Sequence, residues 1–250
     1  MPDEWTYDGH DARSLSALLD LPLVVLRERV GSALDVAHVL AASDAPAGTL
    51  VVADEQTAGR GRSGRRWASA RGAGIWLALI ERPADASSIE LLSLRVGLRA
   101  APVLDRHAGA RVSLKWPNDI YVGDAKLAGV LVEARWRDDR PDWVAIGMGI
   151  NVRAPDDVAR AAALAPSASR ALVLSELIPA LRSAAAARGS LTSSELSRYA
   201  ERDRARGRRC TAPERGVVLG IDARGCLLVE TEAGVTAVRS GSLRLEGEVA

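Results

Sequence analysis

Phenylalanine is absent from this 250-residue chain, and of its 33 lysine and arginine residues only two are lysine. Cysteine occurs twice, at Cys210 and Cys226, with no Cys-x-x-Cys spacing, and the three histidines, His10, His38 and His107, are scattered. These gaps exclude any zinc site legible in the sequence. The two cysteines read as small buried apolar residues rather than a disulfide framework. No apolar run reaches the roughly 20 residues that a membrane helix requires. The opening residues, Met-Pro-Asp-Glu-Trp, are acidic and carry no apolar stretch, so no secretory signal is expected and a cytoplasmic location is. A net charge of +1 leaves no overall field to attract nucleic acid or a membrane surface.

What the chain does have is local charge and a legible order of elements. Residues 60–71 hold Arg60, Arg62, Arg65, Arg66 and Arg71 and no acid. Apolar, β-branched runs predict strands at 21–28, 49–54 and 75–80. Ser32 opens a predicted helix to Ala42, with Asp35 three residues on as in a capping box. A long apolar-striped helix is predicted from Ser87 or Ser88 to His107, bent at Pro102. Strands then follow quickly at 112–116, 120–122, 127–135 and 143–150, with Gly123-Asp124 as a tight turn. Ala-rich helices are expected at 174–187 and 192–205. This pattern implies an α+β fold, a mixed β-sheet with helices packed on one face. Short strands at 217–221, 226–230, 236–239 and 243–245 suggest a small C-terminal β-barrel. The expected divisions are an N-terminal extension over 1–21, a main domain over 22–205 and the barrel over 206–250. Nothing before residue 22 is long enough for a helix-turn-helix module.

Three segments carry chemistry. The first, Gln56-Thr-Ala-Gly-Arg-Gly-Arg-Ser-Gly-Arg-Arg-Trp67, alternates glycine with arginine after a buried strand. Glycine lets backbone N–H groups crowd an anion, arginine offers paired donors to phosphate, and tryptophan can stack on a base. The spacing is not the Walker pattern, and a solvated Arg-Gly segment or an RNA-binding one would have the same composition. The second, Lys115-Trp-Pro-Asn-Asp119, holds an Asn-Asp pair at a strand end, followed by Lys126-Leu-Ala-Gly129. Asp119 can coordinate Mg²⁺ and Asn118 can orient a phosphate or carboxylate, although Pro-Asn-Asp also makes a plain turn. Both lysines of the chain fall in this stretch, where a compact point charge differs from the wide arginine fork. The third, Ile146-Gly-Met-Gly-Ile-Asn151, puts two glycines in a buried strand, for packing or for a close ligand.

Taken in order, Gln-Thr-Ala-Gly-Arg-Gly-Arg-x-Gly-Arg-x-Trp (56–67), Lys-Trp-Pro-Asn-Asp (115–119), Lys-Leu-Ala-Gly-x-Leu-x-Glu (126–133) and Gly-x-Gly-Ile-Asn (147–151) resemble the biotin–protein ligases, over about residues 22–247. The resemblance implies a class II synthetase/biotin ligase-like domain with an SH3-like C-terminal barrel, in the short form without a DNA-binding repressor domain. It implies ATP-dependent formation of biotinyl-5′-AMP with Mg²⁺, then transfer of biotin to a lysine of a biotin carboxyl carrier protein, a subunit of acetyl-CoA carboxylase or a related enzyme. Neither DNA nor membrane is expected as a partner, and a homodimer is open. By the same resemblance Lys126 and Arg62 are catalytic. Ser32, Ala33, Leu34, Gln56, Gly59, Arg60, Gly61, Arg62, Lys126 and Gly129 bind biotin. Arg60, Arg62, Arg65, Trp67, Asn118, Asp119 and Asn151 face ATP or the adenylate, with Asp119 and Asn151 serving the metal. Lys115 is structural.

One departure stands out. The family carries Ser-Thr-Asn where this chain has Ser32-Ala33-Leu34, so two side chains that hydrogen-bond the ureido end of biotin in the family are apolar here. Each such bond contributes about 0.5–1.5 kcal/mol net. A ligase for another carboxylic acid, such as lipoate, is therefore the alternative reading.

Overall fold

The computed structural model describes residues 5–83, 85–155 and 158–248. Its main sheet has seven strands in the order β1 (Leu23–Val30), β2 (Thr49–Gln56), β3 (Gly74–Glu81), β7 (Arg140–Asn151), β6 (Ala125–Arg137), β5 (Asp119–Val122) and β4 (Ser113–Lys115). Only β1 and β2 run parallel; the other neighbours are antiparallel. The sheet is therefore mixed, as expected. The expected strands all form, within a few residues of their sequence limits.

Successive residues of a strand face opposite sides, and β2 shows the consequence. Leu50 and Val52 point into a large core beneath α1 (Ala12–Leu19), α3 (Leu92–Ala108) and α4 (Arg170–Ala186), whereas Val51 and Ala53 face a second, smaller core. That smaller core lies under α2 (Ala33–Ala42), which buries Ala33, Leu34, Ala37 and Ala41 on β2, β3 and β7. The helices thus lie on one face with one exception, and α2 on the opposite face is the departure from the one-sided layer. Small residues permit it: the α2 seam is alanine-rich, so helix and sheet approach closely. Among the described residues no helix is long and apolar enough to cross a membrane.

Two further features are local. Residues 5–21 pack on the main core through buried Tyr7, Leu15 and Leu19. Asp11 accepts a hydrogen bond from the Ser14 N–H at 2.7 Å and caps the eight-residue α1. Arg170 then ties this segment down, 2.8 Å from Asp8, 2.6 Å from Asp54 and stacked 4.1 Å from the Tyr7 ring centre. The Ser32–Asp35 capping box does not form, since Ser32 makes no side-chain cap. The box appears instead at α5 (Ser193–Ala200), between Thr192 and Glu195.

The C-terminal sheet runs β11 (Gly234–Val238), β10 (Leu227–Thr231), β9 (Gly216–Ile221), β8 (Arg209–Ala212) and β12 (Arg244–Leu245). Its pairings are all antiparallel, in keeping with the small β-domain expected. Strand β8 escapes the sequence reading because its burial is limited to Cys210. Trp116 Nε1 donates to the Gly225 carbonyl at 2.9 Å, and buried Lys115 pairs with Glu248. These contacts seat the C-terminal sheet against the β4–β5 turn.

Candidate active site

The α2 face of the sheet is opened by glycine. Antiparallel register places Gly129 opposite Gly149, which faces Trp76, and Leu131 opposite Gly147, which faces Ala78. These rows share a face because their members are two residues apart along each strand. A Cβ at Gly147 would lie 2.8 Å from Leu34 Cδ1, and one at Gly149 would lie 2.5 Å from Trp67 Nε1. Both fall inside van der Waals contact. The paired glycines of 147–149 are therefore spaces, one filled by α2 and one by the Gly/Arg loop. Between them lies a cavity of about 250 Å³. Its apolar side chains are Leu34 and Leu131, with the strands at Leu77, Val130 and Met148 forming the floor, and its polar rim comes from Arg62, Asp119, Lys126 and Asn118.

The loop over this cavity is folded back on itself. The Trp67 N–H donates to Gly59 O at 2.9 Å and the Gly61 N–H to Arg65 O at 2.7 Å. Gly59 is required for space, because a Cβ there would meet Trp67 O at 2.6 Å. Left-handed backbone occurs instead at Ser63 (φ 55°) and Gly64 (φ 72°). Gln56 brackets the base of the loop: its Oε1 accepts from Ala33 N–H at 2.8 Å and its Nε2 donates to Ser69 Oγ at 2.9 Å. Gln56 thus caps α2, the role expected of Ser32. The Ser32 hydroxyl, buried at the cavity wall, makes no cap bond to the helix. Trp67 lies across Gly149 and Gly129 with its indole N–H buried and unpaired. A buried donor without a partner costs about 1–3 kcal/mol, so this N–H is available to a ligand or water.

Lys126 stands at the cavity mouth. Its Nζ is 2.7 Å from Asp119 Oδ1 and 5.0 Å from the centre of the Trp67 ring. Arg62 shares the Asp119 neighbourhood: burial lowers the basicity of its guanidinium, and the Asp119 charge opposes that shift. Two cations thus face one carboxylate, and the surplus positive charge is directed at the cavity. Asn151 is buried in the same lining, beside the Lys126 backbone. Its Nδ2 donates to Lys126 O at 3.3 Å and Ala162 O at 3.0 Å, which fixes the start of β6. Asn118 donates to Val130 O at 2.7 Å.

Not every sequence-selected residue meets the cavity. Ala33 and Gly59 are buried outside its lining. Arg60 and Arg65 do line the cavity, Arg65 being exposed and reaching Ser242 Oγ at 3.2 Å. The Arg60 guanidinium turns to Asp35 and Glu133, 3.0 Å from each. Glu133 lies on the glycine face, two residues beyond Leu131, a position that period-two counting from Gly129 marks in the sequence. Among the described residues no group of three or more His, Cys, Asp or Glu could hold a metal. One carboxylate, Asp119, and the Asn151 amide oxygen suit Mg²⁺ nonetheless. That ion keeps several waters and binds through one or two carboxylates plus substrate phosphates.

Comparison with known proteins agrees with this geometry. Residues 34–151 match the Biotin/lipoate A/B protein ligase family. The chain is 34% identical over 241 residues to the Bifunctional ligase/repressor BirA of Bacillus subtilis, covering 89% of this chain and 74% of that protein. It is 40% identical over 120 residues to the Biotin--[acetyl-CoA-carboxylase] ligase of Mycobacterium tuberculosis, covering 44% and 42% respectively. The Aquifex aeolicus biotin protein ligase in complex with biotin and ATP superposes with a TM-score of 0.71 at 24% identity, covering 89% of this chain and 98% of that one. At that identity the likeness speaks for the fold.

Proposed function

The chain belongs to the biotin–protein ligase family, and from that premise we propose that its cavity joins biotin to AMP and delivers the acyl group to a lysine on the biotin-carrying domain of a carboxylase. The observation that carries this reading is the position of Lys126, a point charge 2.7 Å from Asp119 beneath Trp67, with Arg62 beside it. Biotin and ATP are both anions in the first step. The carboxylate oxygen attacks the α-phosphorus, and pyrophosphate leaves with the electron pair of the broken P–O bond. Lys126 and Arg62 offset the repulsion and the charge that grows on the phosphoryl oxygens. Losing one such fixed donor typically costs on the order of 10²–10³ in rate.

In the second step a lysine amine attacks the acyl carbon, AMP departs, and the amine proton is released. Biotin's apolar body fits the wall formed by Leu34 and Leu131, while Ser32 and the loop backbone offer polar contacts to the ureido end. Trp67, with its free N–H and exposed loop, covers the adenylate and keeps water from the mixed anhydride. Mg²⁺ would be held by Asp119 and Asn151 together with phosphate oxygens, and it supplies charge neutralisation. Relatives named as biotin--[acetyl-CoA-carboxylase] ligases favour biotin over a lipoate-like acid. Pyrophosphate release with biotin, lipoate or octanoate tests the reading. Turnover with biotin at least tenfold above the other two is expected, and equal turnover with all three would refute it.

A further inference from the structure

At the far end of the cavity from Lys126, side chains from three elements converge on Arg60. The guanidinium Nη2 is 3.0 Å from Glu133 Oε2 on β6 and 3.0 Å from Asp35 Oδ1 on α2. The same Glu133 oxygen lies 2.7 Å from His38 Nε2, and Trp143 Nε1 donates to His38 Nδ1 at 3.0 Å. An indole nitrogen is a donor only. His38 Nδ1 is therefore the acceptor, the ring proton resides on Nε2, and that N–H donates to Glu133. One carboxylate oxygen receives both a guanidinium and a tautomer-fixed imidazole. Trp143 and His38 are largely shielded, with side-chain exposure of 13% for His38 against 61% for Asp35. The anchor is thus on the Glu133 side, and Asp35 is its solvated outer contact.

Register places the anchor along β6. Glu133 and Gly129 face the same side of β6, four residues apart, which is about 13 Å at ~3.3 Å per residue. Lys126 stands over Gly129, its Cε 3.6 Å from the position of a Cβ there. While held by Glu133, the Arg60 guanidinium stands at the Glu133 end of this row, and Lys126 stands at the Gly129 end. Arg60 also fixes the point where the loop doubles back, because Gly59 and Gly61 on either side of it carry the backbone bonds to Trp67 and Arg65.

Resting on the ligase reading, we propose that Glu133, backed by His38 and Trp143, is a positioning residue: it clasps Arg60 and thereby holds the Gly/Arg loop over the bound acid. Arg60 serves retention of the acid and the adenylate, and the reacting phosphate is left to Lys126 and Arg62.

Glu133→Gln keeps the shape and removes the charge. It is expected to raise the KM for biotin five- to thirtyfold and to speed release of the acyl-adenylate, with the saturated rate of adenylate formation within threefold of wild type. Arg60→Gln should raise the same KM, and the double variant should be no worse than Arg60→Gln alone, since coupled contacts do not add. His38→Phe should give a smaller rise, and Asp35→Asn less than twofold, as for an exposed pair. Amide exchange over 59–67 in the ligand-free protein should quicken at least tenfold in Glu133→Gln. An unchanged KM, a saturated rate down 100-fold, independent effects in the double variant, or unchanged exchange would each overturn the proposal. If the wild type forms no biotinyl-adenylate, the ligase reading fails first, and the exchange measurement still judges the clasp.

Discussion

Adding one methyl group at Gly149 puts the glycine floor to a quantitative test. The new Cβ of Gly149→Ala would lie 2.5 Å from Trp67 Nε1, 2.7 Å from Cε2 and 3.1 Å from Cδ1. Optimal carbon contacts are about 3.5–4.0 Å, so the indole must move by about 1 Å. Overpacking of this kind costs about 1–3 kcal/mol, a factor of roughly 5–150 in an equilibrium constant. Where the cost falls follows from what can yield. Gly149 is held between Trp76 and Gly129 in the middle of the sheet, whereas Trp67 sits on a loop and its N–H has no partner. The tryptophan gives way, and ligand binding carries the loss. The KM for ATP should therefore rise five- to a hundredfold while the melting temperature falls by only a few degrees. Gly97→Ala in α3 is the control, since its Cβ meets only Leu114 Cδ2 at an ordinary 3.6 Å. Initial-rate pyrophosphate release and scanning calorimetry read both quantities. A Gly149→Ala enzyme with unchanged KM and a melting temperature lowered by ten degrees would show that the glycines serve packing alone.

Other consequences are as direct. Leu34 lines the cavity and Ala33 does not. Calorimetry should accordingly show Leu34→Asn tightening biotin by about two- to tenfold, the value of one hydrogen bond, while buried Ala33→Thr mainly lowers the melting temperature; a larger affinity gain from Ala33→Thr would contradict the placement. Asp119→Asn should raise the Mg²⁺ concentration for half-maximal adenylation at least tenfold, and an unaltered Mg²⁺ dependence would remove Asp119 from the metal site. Burial raises the Asp203 carboxyl from 3.8 to about 6, and its Oδ2 has no partner. The folded state therefore binds that proton more tightly than the unfolded chain. The contribution is complete below about pH 4 and is lost as pH climbs through 6, leaving a cost of about 3 kcal/mol at pH 8. Asp203→Asn should be the more stable protein at pH 8 in urea titrations, with the gain vanishing near pH 4; a gain independent of pH would refute the assignment.

How much of this was legible in sequence depends on range. The strands and the Gly/Arg loop were readable because buried runs and glycine spacing are local signals. The glycine face was half readable: period two along β6 and β7 gives the face, but only register reveals that Gly129 stands opposite Gly149. The clasp on Arg60 was hidden, because Asp35, His38, Glu133 and Trp143 are joined by no spacing rule and meet only through the fold. The resemblance placed Arg60 among the phosphate contacts, whereas its guanidinium pairs with carboxylates on α2 and β6. Helix α2 on the second face could not be foreseen either, since the burial of Val51 and Ala53 looks the same whichever layer covers them. The Gln56 cap replaced the Ser32 box for the same reason, a side chain 23 residues away in sequence reaching the helix start first.

The ammonium of Lys126 is the centre of the account, and replacing it is the most direct test. Lys126→Met keeps the aliphatic stem against Gly129 and Trp67 and removes the charge. Single-turnover formation of biotinyl-AMP at saturating biotin and ATP should fall by about 10²–10³, with the fold retained by circular dichroism. A Lys126→Met protein that forms the adenylate at the wild-type rate would contradict the mechanism at its root.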